Sequence, residues 1–200
     1  MIYFCPSVTL DEDLQIPFIE GKLGIFFTRR SYNPKNPLNQ IAPHRFIDNH
    51  CFSKEEFTEK NFFKFLKRVD YMKNDIKWVV IPDVVGDALK TLEMFLYYNN
   101  KVKELGWRTA FVAQDGIEML PIPWGEFDTM FVGGSTVFKY SAVVREIIKE
   151  CNKRRVWCHI GRINSKKKFL YFKELGADSA DGTTLKFGPA KNLPGILEWY

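Results

Sequence analysis

The chain has 200 residues, of which 46% are hydrophobic and 26% charged, and its formal net charge is +5. These proportions are ordinary for a globular protein, and the length allows one domain, residues 1–200, with a core of its own. No apolar run reaches the roughly 18–20 residues of a membrane span, and the N-terminus lacks the charged and apolar blocks of a signal peptide. We therefore expect a cytoplasmic protein without a membrane partner.

The cysteine pattern bears on metals and disulfides. The four cysteines form no CxxC pair and no Cys/His ligand spacing: Cys5, Cys51, Cys151 and Cys158. This argues against a structural zinc site and against a disulfide framework. We expect all four thiols to be reduced and the protein to hold no metal.

Strand and helix patterns alternate along the chain. Short β-branched or aromatic runs predict eight strands, at residues 2–4, 23–28, 45–48, 78–81, 109–113, 130–132, 156–160 and 177–181. Helical periodicity predicts helices over residues 53–72, 87–105, 139–152, 165–175 and 193–200. The segment 31–44 is predicted to be a long, turn-rich loop. Little helix is expected between the fifth and sixth strands, because Pro121, Pro123 and Gly125 interrupt the chain there.

The carboxyl ends of most predicted strands carry a carboxylate, an amide or a glycine: Asp48, Asp83, Gln114, Gly133, Gly161 and Asp181. Eight strands, most of them followed by a helix, predict a compact (β/α)8 TIM-like barrel. In such a barrel the carboxyl ends of the strands form the active face. An open, doubly wound sheet is the alternative.

Three carboxylates, Asp48, Asp83 and Asp181, each end a predicted strand and should converge on the barrel mouth. Converging carboxylates suit metal binding, or covalent and acid–base chemistry on a sugar. Each also has a structural alternative, namely an Asx-turn for Asp48, a helix N-cap for Asp83 and a turn residue for Asp181. His159, on the seventh strand, is interpreted as a packed core histidine.

Glycines at strand ends let a flat ligand reach the backbone. Gly133 and Gly134 would offer bare N–H groups, and Gly161 could do the same, although a simple tight turn is the alternative. With Asp83 and Gln114 at the same mouth, the set complements the edge of a guanine base. A carboxylate accepts from the ring N–H and the exocyclic amine, while an amide and backbone N–H groups meet the base acceptors.

Four motifs of the chain resemble the queuine/archaeosine tRNA-guanine transglycosylase superfamily, and more closely its short, phage-type relatives that act on guanine in DNA. The motifs are Gly176–Asp181, Phe131–Gly134, Val112–Gly116 and Ile81–Asp83. The segment His159–Arg162 also has a counterpart. Together they cover roughly residues 78–190.

The resemblance implies an exchange of guanine for a 7-deazaguanine base, with Asp181 as the nucleophile and no cofactor. It makes Asp83 the carboxylate that grips the guanine edge. It assigns the remaining base contacts to Gln114, Gly133, Gly134, Gly161 and Arg162. Asp48 would be the general acid/base, although its motif is weaker because His50 and Cys51 replace the family's Gly-Gly. Aromatic walls for the base would come from Phe46, Trp124 and Phe131.

The resemblance also bears on the polynucleotide. The tRNA enzymes carry a C-terminal zinc subdomain that this sequence, which ends at Tyr200, does not show, so we expect DNA rather than tRNA. Basic runs that flank the seventh strand would bind phosphates: Arg154, Arg155, Lys166, Lys167 and Lys168. A partner protein that supplies further DNA contacts is compatible with this hypothesis.

Two other functions stay open at this point. A phosphate-handling isomerase or lyase barrel is suggested by the segments 133–136 and 181–184, which are rich in Gly, Ser and Thr. Against it, no lysine or histidine stands at a strand end in an obvious proton-transfer role. The third possibility is a nucleic-acid-binding relative without catalytic activity.

Overall fold

The computed structural model describes residues 1–51 and 57–200. Eight parallel strands follow one another in chain order around a closed barrel. The strands are β1 Ile2–Pro6, β2 Leu23–Phe27, β3 Arg45–Ile47, β4 Val79–Val80, β5 Thr109–Ala113, β6 Thr129–Val132, β7 Trp157–Ile160 and β8 Ser179–Asp181. The barrel closes where β1 pairs with β8, with Phe4 beside Asp181. The predicted (β/α)8 barrel is therefore confirmed, and the open sheet is excluded.

Helices surround this barrel. They are α1 Glu12–Ile19, α2 Leu38–Ile41, α3 Glu59–Arg68, α4 Ala88–Glu104, α5 Thr136–Lys139, α6 Ala142–Arg154, α7 Lys166–Glu174 and α8 Pro189–Leu197. Side chains of Asp87, Ser135, Ser141 and Ser165 cap the N-termini of α4, α5, α6 and α7. Within the described ranges, no helix combines the length and the apolar character that a membrane span requires.

The barrel interior is filled mainly by aromatic side chains. Phe4, Phe46, Trp78 and Phe131 belong to one buried cluster inside the ring of strands. Gly24 on β2 leaves the space that the Phe4 ring occupies, since a Cβ at Gly24 would lie 2.4 Å from Phe4 Cδ1. A second, larger apolar core packs the outer faces of the strands against the helices.

The helices differ from the sequence prediction in several places. The structure adds α1, which was not predicted, and α2, which lies inside the predicted loop 31–44. The helix predicted at 139–152 corresponds to α6, which begins at Ala142 because Ser141 caps its N-terminus, and a separate short helix, α5, precedes it. The predicted start of the third-strand helix at Ser53 lies outside the described residues. Between β5 and β6 only the 3₁₀ turn Ile117–Met119 occurs, which confirms the expected lack of helix.

Candidate active site

The carboxyl ends of the strands surround a cavity of about 460 Å³. This volume is typical of sites for small ligands. The residues predicted for catalysis and base binding all line it: Asp48, Asp83, Gln114, Gly133, Gly134, Gly161, Arg162 and Asp181. These residues therefore share one cavity, as strand ends of a parallel barrel should.

Asp181 ends β8 and is 6% exposed. Its Oδ1 accepts the backbone N–H of Arg162 at 3.0 Å, and its Oδ2 lies 3.0 Å from Nε2 of His159. Both partners belong to β7 or to the loop that follows it. The carboxylate is thus held from the side by contacts with two nitrogen atoms, one of them the Arg162 N–H donor, an arrangement that a simple turn residue would not need.

His159 is completely buried, and its two ring nitrogens contact Ser179 and Asp181. Its Nδ1 lies 2.8 Å from Oγ of Ser179, which in turn accepts the indole N–H of Trp157 at 2.7 Å. The interpretation of His159 as a packed core residue is correct for its burial but misses its contact with Asp181. Only the register between β7 and β8, which pairs His159 with Ser179, brings these side chains together.

Asp83 lies opposite a pair of amide side chains. Its Oδ1 accepts from Asn49 Nδ2 at 2.7 Å, and its Oδ2 accepts from Gln114 Nε2 at 2.5 Å. Burial raises the pKa of Asp83 above its ordinary value, although Asn49, Gln114 and the charge of Arg162 all act to lower it. The N-cap of α4 is Asp87, whose side chain accepts from the N–H of Lys90, so the N-cap alternative for Asp83 is wrong.

Asp48 lines the cavity and also makes a hydrogen bond within the turn that follows β3. Its Oδ1 accepts the N–H of His50 at 2.7 Å, so the Asx-turn alternative holds for one of its oxygens. Burial raises its pKa to about 7; the His50 N–H opposes this, while the nearby charges of Asp181 and Asp83 add to it. A carboxyl with this pKa can donate or accept a proton near neutral pH.

His50, directly after Asp48 and Asn49, has a backbone conformation that favours glycine. Its φ of 67° lies in the left-handed region, which glycine adopts at little cost and other residues adopt with strain. The loop after β3 therefore keeps the conformation of a glycine turn without the glycine.

Gly133 and Gly161 leave space for neighbouring side chains, and their N–H groups are already hydrogen-bonded. The N–H of Gly133 donates to Ala113 O at 2.9 Å, and that of Gly161 donates to Val132 O at 3.0 Å. The expectation that Gly133 and Gly161 offer bare N–H groups is therefore wrong, because the barrel extends one residue beyond the strands. A Cβ at Gly133 would lie 2.9 Å from Gln114 Nε2, so this glycine allows the amide to reach its position.

The three aromatic residues proposed as cavity walls lie in different places. Phe131 lines the cavity. Phe46 is fully buried below it, stacked on Trp78 at 5.0 Å between ring centroids. Trp124 is not a wall residue, since it lies outside the barrel in contact with Phe127 and beneath the guanidinium of Arg154.

The two basic runs lie at opposite ends of the barrel. Lys166, Lys167 and Lys168 are exposed and form the first turn of α7, directly after the loop from β7. Arg154 and Arg155 end α6 and precede β7, so they lie at the amino ends of the strands, away from the cavity. The two runs flank β7, as the sequence indicates, but only the lysines lie at the mouth, because a helix-to-strand connection returns the chain to the far end of a barrel.

Two further charged residues lie near the mouth, of which Lys139 was not predicted. Lys139 is 4% exposed and donates from Nζ to Gly161 O at 2.6 Å. Burial, with the positive charge of Arg162, lowers its pKa to about 8. Asp115 accepts from both the N–H and the hydroxyl of Ser135, at 2.7 and 2.5 Å. Within residues 1–51 and 57–200, no three carboxylate, thiol or imidazole side chains group closely enough to hold a metal ion.

No family model and no curated protein matches the chain. Solved structures do match it. Dihydrodipicolinate synthase from Bacillus clausii is 11% identical, with a TM-score of 0.53 over 99% of this chain and 73% of that one. An HpcH/HpaI aldolase from Desulfitobacterium hafniense is also 11% identical, with a TM-score of 0.50 over 98% of this chain and 92% of that one. At these identities the likeness shows a common TIM-barrel fold and nothing of the chemistry.

Proposed function

We propose that the protein is a base-exchange enzyme that replaces guanine in a polynucleotide, DNA rather than tRNA, by a 7-deazaguanine. One observation carries this proposal. A single cavity holds a buried carboxylate in contact with two nitrogen atoms, Asp181, and a second carboxylate that accepts hydrogen bonds from two amides, Asp83. The first arrangement suits a nucleophile, and the second suits a recognition group for the donors of a base.

The recognition group matches the guanine edge in hydrogen-bonding capacity. Each oxygen of Asp83 takes one amide bond and keeps a lone pair for the ring N–H or the exocyclic amine of guanine. Gln114 Oε1 accepts from Gly86, and its amide orientation is thereby set, which leaves a second Nε2 hydrogen for the guanine carbonyl. A 7-deazaguanine has the same edge, so one pocket serves both the leaving and the entering base.

The exchange needs two displacements at the sugar. Asp181 attacks the anomeric carbon, the bond from that carbon to guanine breaks with its electron pair leaving on the base, and Asp48 donates a proton to the departing guanine. The 7-deazaguanine then gives its ring proton to Asp48 and attacks the same carbon, and Asp181 leaves as a carboxylate. Two inversions restore the original configuration, as in retaining glycosidases.

The location of the carboxylates requires that the target base leave its stack. Asp181 is only 6% exposed at the cavity floor, so a base within a helix does not reach it. Flipping a base costs a few kcal/mol when it is paired and less in a single strand. Lys186 lines the cavity and the lysines that begin α7 lie beyond it, which places positive charge where a polynucleotide backbone would pass.

The phosphate-handling alternative finds less support. The N–H and hydroxyl of Ser135, at the start of α5, already bind the Asp115 carboxylate. The N–H of Thr183 donates to Asn164 Oδ1 at 2.7 Å. In both segments that resembled phosphate cradles, these donors therefore already bind protein oxygens. Lys139, a buried amine near the mouth, donates to a backbone carbonyl and is not among the cavity-lining residues.

Base exchange is the direct test. The protein is incubated with labelled guanine or a 7-deazaguanine and with duplex DNA, single-stranded DNA or tRNA, and the nucleosides are analysed by mass spectrometry. We expect incorporation into DNA, unchanged by a chelator. Exchange confined to tRNA contradicts the DNA assignment. Activity that a chelator removes and Mg²⁺ or Zn²⁺ restores contradicts the metal-free mechanism, and no incorporation into any polynucleotide contradicts the proposed function.

A further inference from the structure

The imidazole of His159 lies in an aromatic cage inside the barrel. The side chain is 0% exposed. Ring centroids of Phe131, Phe46, Trp78 and Phe4 lie 4.6, 5.1, 5.6 and 5.8 Å from its own. Such a cage fixes the plane of the ring and excludes water, so the two ring nitrogens depend on protein partners.

Those partners form one chain of hydrogen bonds. Trp157 Nε1 donates to Ser179 Oγ at 2.7 Å, and Ser179 Oγ lies 2.8 Å from His159 Nδ1. The chain ends at His159 Nε2, 3.0 Å from Asp181 Oδ2. Ser179 is fully buried, as is His159.

The donors and acceptors along this series of hydrogen bonds indicate its direction. An indole N–H only donates and a carboxylate only accepts, so the two ends together favour one direction, in which Ser179 Oγ accepts from Trp157 and gives its single hydrogen to Nδ1 of His159. The imidazole then carries its hydrogen on Nε2 and donates it to Asp181. The opposite tautomer would set two lone pairs against each other across 3.0 Å, in a place without water.

We propose that His159 is the positioning residue of Asp181, and that Ser179, held by Trp157, fixes the imidazole tautomer this requires. The inference rests on the proposed function, since it gives Asp181 the role of nucleophile. The Nε2–H bond holds Oδ2 while Arg162 N–H holds Oδ1, so the carboxylate cannot rotate away from the sugar. After attack the same N–H bonds an ester oxygen, and it is in place to receive the negative charge again when the base enters.

Kinetics of base exchange separate positioning from packing. His159→Leu keeps an apolar side chain in the cage but removes both nitrogens, and we expect kcat to fall about 10- to 100-fold with KM for the base within twofold. His159→Gln places an amide N–H near the former Nε2 and should restore most of the loss. Ser179→Ala should lower kcat as well, but should have little further effect in the His159→Gln background, because an amide has no tautomer to set. Equal activity of the Leu and Gln variants overturns the inference.

A measurement that does not depend on activity completes the test. The chain has 3 histidines, so ¹⁵N NMR of the ring nitrogens is assigned by the signal that His159→Gln removes. At pH 8 we expect the Nε2–H tautomer, with a fraction shifted to Nδ1–H in Ser179→Ala. A wild-type Nδ1–H tautomer overturns the inference even if the enzyme is active. A Nε2–H tautomer that Ser179→Ala shifts, in a protein that exchanges no base, supports the pairing and contradicts the proposed function alone.

Discussion

At the scale of single residues, Asp181→Asn separates a nucleophile from a structural carboxylate. An amide of the same size cannot form the glycosyl ester, so we expect base exchange to be abolished while the protein stays folded. With wild-type protein, a protein–DNA adduct that survives denaturation should be trapped, and it should be absent for the variant. Asp178→Asn is the matched control, because Asp178 precedes the same strand at the far end and accepts from Cys158 N–H. Exchange by Asp181→Asn at the wild-type rate would remove Asp181 from the nucleophile role.

The raised pKa of Asp48 leads us to expect that both the exchange rate and the free energy of unfolding depend on pH. Since burial raises its pKa to about 7, it is the protonated carboxyl that donates to the leaving base, and the rate should fall as the pH rises through about 7. The folded state also keeps a proton that the unfolded chain loses near pH 4, so the free energy of unfolding should fall as the pH rises from about 4 to 7.

The variant Asp48→Asn tests both consequences. Its free energy of unfolding should depend less on pH over this range, and its exchange rate should be about 10²- to 10⁴-fold lower with no descending limb near pH 7. Denaturant unfolding and initial rates at a series of pH values measure the two effects. If the variant retains the limb, a different group supplies the proton.

Asp83→Ala should weaken base binding rather than the fold. The variant leaves the guanine donors without a charged acceptor, which costs about 1.5–3 kcal/mol of binding free energy. Competition of guanine analogues for exchange measures the loss. Asp87→Ala is the control, since it removes the cap of α4 and should lower Tm without changing base selection. Unchanged analogue affinity in Asp83→Ala would leave Asp83 without a recognition role.

The residues that end strands could be located from the sequence, because parallel strands in a barrel all present their carboxyl ends at one face. This rule predicts Asp48, Asp83 and Asp181 as residues of the barrel mouth. The residues that orient them could not be located in this way. Asn49 lies two positions past the end of β3, and His159 becomes a partner of Asp181 only through the register of β7 and β8, which no local pattern determines.

At the scale of elements, the contact between β1 and β2 depends on one glycine. A Cβ at Gly24 would lie 2.4 Å from the buried ring of Phe4, so Gly24→Ala should destabilise the protein by about 1–3 kcal/mol through overpacking. Phe4→Leu in the same chain should recover part of this loss. Gly195→Ala in α8 is the control, because no atom lies within 4 Å of the added methyl and the change should be neutral or stabilising. Denaturant unfolding compares the variants, and equal stability of the two alanine variants contradicts this packing.

The strands and the long helices were predictable because each buries a regular apolar pattern. The helix predicted at 87–105 matches α4 to within one residue at either end. The misses have physical causes. In α1, Pro17 lies inside the helix and no strong apolar stripe marks one face, and α2 has only four residues, too few for a periodicity to be visible.

At the scale of the whole molecule, the barrel separates two basic regions that are neighbours in sequence. The connection through β7 places Lys153, Arg154 and Arg155 at one end and the lysines that begin α7 at the other. Arg154 also pairs with Glu150 at 2.5 Å, on the same helix. If a polynucleotide reaches the cavity, only the second region lies on its side of the molecule, so the two regions should contribute differently to binding.

Neutralising Lys166, Lys167 and Lys168 together to Gln should therefore weaken DNA binding and flatten its salt dependence. Each lost phosphate contact lowers the slope of log K against log salt by about 0.7 for a single strand or 0.9 for a duplex, so the change reaches at most about three such steps. The base that is exchanged should not change, since phosphate contacts carry no sequence information. Lys153→Gln, Arg154→Gln and Arg155→Gln combined remove the same charge from the opposite end and should leave the slope unaltered. Fluorescence anisotropy at several salt concentrations measures both slopes, and equal flattening by the two triple variants would show that net charge, not a surface at the mouth, governs binding.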